Sequence, residues 1–132
     1  MRYALIVLFV LAGCSTSQEE LAGKTAPVVR QYEASYQEIY RRIVNSGKRC
    51  LAASMSAYSS MEVDSELYPD LGYGEVSLSL VNFGTRNYYW TAKIEEADSG
   101  SRLTMNAGNT VGAPKLIASG LRWADGDPSC GS

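Results

Sequence analysis

Four stretches of alternating side-chain character, one after another between residues 61 and 106, constrain this chain more than anything else in it. Met61, Val63, Ser65 and Leu67 alternate with Glu62, Asp64 and Glu66, and Val76, Leu78 and Leu80 alternate with Ser77, Ser79 and Val81. Residues 88–95 are aromatic and β-branched, and residues 102–106 place Leu103 and Met105 on one face. Alternation is the strand signature, because successive side chains point to opposite faces. The stretches are separated by turn chemistry at Tyr68-Pro69-Asp70, Asn82-Phe83-Gly84 and Asp98-Ser99-Gly100. Turns this short cannot hold a parallel crossover, so the segments predict an antiparallel meander of four to five strands.

A helical pattern stands on either side. Val28, Val29, Tyr32, Tyr36, Ile39, Tyr40, Ile43 and Val44 recur at spacings of three and four. Two starting points fit them. Ser35-Tyr36-Gln37-Glu38 has the form of a capping box; if it is used, residues 28–33 are a short extended segment and the helix runs from about Tyr36 to about Lys48. Asn45-Ser46-Gly47 can fray or end it, which leaves Cys50 at or just past its end. The second helix has Asn109 or Thr110 as its cap and Pro114 in the first turn. Ala113, Leu116, Ile117, Gly120, Leu121 and Ala124 form its apolar stripe, and Asp125-Gly126-Asp127-Pro128 stops it.

The first residues read differently. Arg2 precedes an apolar run from Tyr3 to Ala12, too short for the roughly 20 residues that cross a bilayer as a helix. The run closes on Leu11-Ala12-Gly13-Cys14, which resembles the lipobox of bacterial lipoproteins. The resemblance implies cleavage before Cys14, diacylglycerol on its thiol and palmitate-type acylation of the new amino terminus. Residues 1–13 are then a signal peptide, 14–27 an acylated cysteine with a flexible tether, and 28–132 one domain. Ser15, where sorting to the inner membrane uses Asp, points to the outer membrane of a Gram-negative envelope and to the periplasm. Two or more acyl chains anchor stably where one does not. A coil over residues 15–26 would span roughly 20 Å, and about 40 Å when stretched.

With Cys14 acylated, Cys50 and Cys130 remain, and an exported chain with two thiols left predicts a disulfide between them. Closing a loop of roughly 80 residues stabilises by about 4–5 kcal/mol in the chain-entropy model. The staple joins the ends of the two helices and so places both on one face of the sheet. The expected architecture is α+β, a four- to five-stranded meander with two helices on one face. This order of elements over residues 28–130 resembles the helix-grip domains of some envelope lipoproteins, including an accessory lipoprotein of the outer-membrane barrel-assembly machine.

Chemistry is sparse. The chain has no histidine, and its formal charge of −2 becomes more negative once Arg2 is removed. That balance argues against nucleic acid, which calls for a basic stripe. Lys24, Lys48, Lys93 and Lys115 sit in no Ser-Lys catalytic motif. Glu62, Asp64 and Glu66, with Glu95 and Glu96, could be read as paired catalytic carboxylates or a calcium site, but period-two charge is what a solvated sheet face looks like. Tyr32, Tyr36 and Tyr40 form an i, i+4, i+8 stripe, with Trp123 on the last helix; they are either core residues with phenols at the rim or a recognition surface. The sequence therefore predicts a protein without catalytic activity, cofactor or metal. Its partners would be the membrane, through covalent lipid, and another envelope protein. Two other roles stay open: carrier of a small apolar ligand, and inhibitor of a cell-wall hydrolase.

Overall fold

A computed structural model describes residues 17–108 and 111–131. Cys14 and the candidate caps Asn109 and Thr110 lie outside the described residues. Six strands form one antiparallel sheet: β1 (Val28–Tyr32), β2 (Ala53–Ser56), β3 (Ser59–Tyr68), β4 (Tyr73–Asn82), β5 (Thr85–Ala97) and β6 (Gly100–Ala107). Their spatial order is β1-β6-β5-β4-β3-β2, a five-strand meander with β1 returned beside β6. The expected α+β meander is present, with six strands rather than four to five. The extra pairings are β1, the extended segment before the capping box, and β2, whose Ala-Ser-Met-Ser composition has no strand pattern.

Helices α2 (Tyr36–Leu51) and α3 (Ala113–Asp125) pack on one face of this sheet, as the disulfide requires. Ser35 is the N-cap of α2, its side chain accepting from the Glu38 amide at 3.3 Å. The carboxylate of Glu38 does not complete the box but accepts from Arg41 and Arg42. The helix continues through Asn45-Ser46-Gly47, because Ser46 is buried and Gly47 packs beneath Val63 and Trp123. Packing here outweighs propensity. In α3, the cap is Gly112, and Gly126 closes the helix in the left-handed region with its amide on the carbonyls of Arg122 and Trp123.

The core lies between these helices and the sheet. Ile39, Ile43, Leu78, Trp90, Ile94, Leu103 and Met105 are all essentially inaccessible. A bulge between Leu78 and Ser79 opposes two residues of β5 to one of β4, so that neighbouring Tyr89 and Trp90 both contact this core. The interior is filled. A side chain at Gly120 would collide with Met105 and close on Trp90 at 3.1 Å, and one at Gly74 would meet Tyr40 Cδ2 at 2.5 Å. Cys50 and Cys130 are bonded, with their Cα atoms 5.2 Å apart. Around that staple, Arg42 donates to the Ala124 carbonyl at 2.9 Å and Trp123 Nε1 to the Ser129 carbonyl at 2.9 Å.

One expectation needs correction. The segment 14–27 is not all flexible tether, because α1 (Gln18–Lys24) forms within it. Ser17 caps α1 by accepting from the Glu20 amide at 3.1 Å, Leu21 is wholly buried, and Thr25 Oγ1 donates to the Ala107 carbonyl at 2.9 Å. Gln18, Glu19 and Ala22 border a groove with Ser77, Thr91 and Asn106, whose side chains leave the sheet opposite the core. α1 therefore sits on the face that α2 and α3 leave open.

Candidate interaction surface

The aromatic residues singled out from the sequence do not form a recognition surface. Tyr36 and Trp123 are 4% and 1% exposed and belong to the interior. Tyr40 packs on Gly74, and Tyr32 lies half-buried against the core, where burial pushes its phenol pKa up. The i, i+4, i+8 stripe is not one helix face: Tyr32 ends β1, while Tyr36 and Tyr40 lie on the inward face of α2. Tyr32 and Tyr40 are only partly accessible, and the Tyr32 hydroxyl is buried.

The exposed aromatic residues lie elsewhere, at one end of the sheet. Tyr58 stands on the β2–β3 turn and Phe83 on the β4–β5 turn, 66% and 76% exposed. Their rings stack with centroids 5.2 Å apart and planes 9° from parallel. The Phe83 amide donates to the Tyr58 carbonyl at 2.9 Å, which ties the two hairpin tips together. Met55, 63% exposed, stands on the neighbouring β2. Ser54, Ser56, Ser60 and Val81 complete a shallow groove of about 610 Å³ beside the aromatic pair.

The backbone adds a second indication. Phe83 and Gly84 have φ of 49° and 78°, the double positive φ of a type I′ hairpin turn. Glycine or asparagine adopts that conformation easily. A residue with a branched bulk at Cγ and no local hydrogen bond to offer loses roughly 1–2 kcal/mol there. Phe83 accepts this strain at a position where its ring enters no core. Strained residues of this kind cluster where function holds them.

The edge beside the pair is open. β2 ends the sheet, and all four of its residues are exposed. Natural edges are commonly guarded by charge. The opposite edge, β1, carries Arg30, which pairs with Asp125 at 3.2 Å. The stretch Ala53-Ser54-Met55-Ser56 carries none.

The open face of the sheet holds the acidic residues, and here they are tied up. Arg86 donates to Glu62 at 2.9 Å, to Asp64 at 2.7 Å and to the buried Ser79 hydroxyl at 2.6 Å. Glu95 is held by Arg102 and Lys93, which together keep its carboxyl below the usual range. Glu66 stands opposite Glu75 in the strand register and accepts from Tyr68, whose phenol is pushed up to about 12 by that carboxylate. Ion pairing of this kind is what a solvated face does. Among the described residues no three His, Cys, Asp or Glu side chains converge as metal ligands.

Comparison with models of known protein families and with curated proteins finds no match. Among the described residues no helix is long and apolar enough to cross a membrane.

Proposed function

We propose that this protein is a non-catalytic docking module of the bacterial cell envelope, anchored through acylated Cys14 to the outer membrane and facing the periplasm. Its partner is another envelope protein. The observation that carries the reading is the strained, exposed Phe83 stacked on Tyr58 beside an uncharged free edge. The partner adds an extended segment to β2, and the aromatic pair with Met55 receives an apolar side chain from it. Strand addition of this type takes affinity from main-chain hydrogen bonds and specificity from flanking pockets. Tyrosine supplies rigid contact area of the kind found at interface hot spots. The filled helix–sheet interior argues against the apolar-ligand carrier, since Gly120 and Gly74 already touch the side chains opposite them.

Photocrosslinking in intact cells tests this, with a benzophenone amino acid placed at Tyr58, Phe83 or, as a control, Lys115. Adducts to one envelope protein from the first two positions and none from the third are expected. Equal yields from all three would remove the proposal. The anchor is tested separately: Cys14→Ser should move the protein out of the membrane fraction, and unchanged fractionation would refute acylation.

A further inference from the structure

The position of α1 limits how far the domain can stand from its membrane. A tether running from residue 15 to residue 26 would leave it free over tens of ångströms. Ser17 instead caps α1, and Leu21 is wholly buried where α1 meets the sheet. Only three peptide links separate Cys14 from Ser17. Whatever their conformation, they reach no farther than about 11 Å.

A membrane plane within that reach of Ser17 lies close to α1. The far side is occupied by the core and then by α2 and α3. We infer that the open sheet face, bearing α1, Lys93, Glu75 and Glu66, lies against the phospholipid headgroups when Cys14 is acylated. This rests on the lipoprotein reading given above. The chemistry of the face agrees with zwitterionic lipid. Lys93 stands beside Glu75, which faces Glu66, and Arg102 stands opposite Glu95; Lys93 Nζ also lies 4.7 Å from the Tyr73 ring centre. A headgroup that carries ammonium beside phosphate finds both signs there. α1 acts as a latch that shortens the anchor. The strands then run along the membrane, the Tyr58–Phe83 tips point sideways, and the protein that docks on them must itself sit at the bilayer surface.

Lysine labelling tests the orientation on the full acylated protein in phosphatidylethanolamine–phosphatidylcholine vesicles. A water-soluble acylating reagent is applied and each lysine is read by mass spectrometry, with soluble Cys14→Ser protein as reference. Lys93 should react at least threefold more slowly on vesicles, while Lys48 on α2 and Lys115 on α3 change little. Ten Gly/Ser residues inserted between Thr16 and Ser17 should restore Lys93. Uniform behaviour of the three lysines, or protection of Lys48 and Lys115 instead, overturns the orientation. The same spectra show the amino-terminal peptide: a peptide without acyl mass overturns the lipoprotein reading itself, whereas an acylated peptide with unprotected Lys93 overturns only the orientation.

Discussion

Phe83 is the residue at which stability and the proposed role separate. Replacing it with asparagine relieves a positive φ worth roughly 1–2 kcal/mol and loses an exposed ring stack worth about 0.5–1.5 kcal/mol. Phe83→Asn should therefore leave the thermal midpoint unchanged or slightly raised while crosslinking through Tyr58 falls severalfold. A clear drop in the midpoint would mean that the ring serves the fold. Gly120 gives the opposite case. Any Cβ there enters Met105 and presses on Trp90, so Gly120→Val should cost about 1–3 kcal/mol by overpacking, read as a lower midpoint in urea. These two residues also mark what the sequence made legible. Gly120 stood in a recognisable apolar stripe, and its neighbours followed from periodicity. Phe83 was visible only as part of a turn, because exposure and backbone strain depend on which hairpins come together.

Elements follow the same division. β3 to β6 were readable because each buries one face and alternates accordingly. α2 was readable from its capping box, and Ser35→Ala should lower stability by about 1 kcal/mol, measured by denaturant midpoint with unchanged slope. β2 and α1 were not readable, for one reason: neither holds enough apolar residues to show a period. β2 pairs through its backbone with β3, and α1 is held by one buried leucine and by the hydrogen bond from its C-cap Thr25 to Ala107. That makes α1 separable from the rest. Leu21 lies outside the main core cluster. Leu21→Ser should thus speed amide exchange across residues 18–24 toward free-chain rates, with little change in β4 and β5. Exchange rising throughout the sheet would show that α1 is part of the cooperative unit.

At the scale of the whole molecule, one long-range staple and a set of local charge contacts support the fold, and they respond to different conditions. The Cys50–Cys130 bond spans 80 residues and ties the tail to α2. Replacing both cysteines with alanine should remove up to about 4–5 kcal/mol, and a reductant should lower the midpoint of the native protein alone. The ion pairs answer to pH. Glu38 is held below its ordinary value of 4.5 by Arg41 and Arg42, Glu95 likewise by Arg102 and Lys93, and Asp127 below 3.8 by the Ser129 amide. All three bind protons less readily when folded than when unfolded. Their contribution is therefore complete above the ordinary values and is lost as pH falls through the lowered ones. Tyr68 sets the alkaline side. Its folded value of about 12 stands above the usual 10, so the Glu66 contact stabilises below pH 10 and is lost as pH rises through 12. A midpoint flat between about pH 5 and pH 9, falling below pH 4.5, is expected. Because Glu38 bridges Arg41 and Arg42, and Arg42 in turn holds the last turn of α3, Glu38→Gln should flatten the acid limb more than Glu19→Gln on α1 does. Identical acid limbs for the two variants would place the acid sensitivity outside the helix pair.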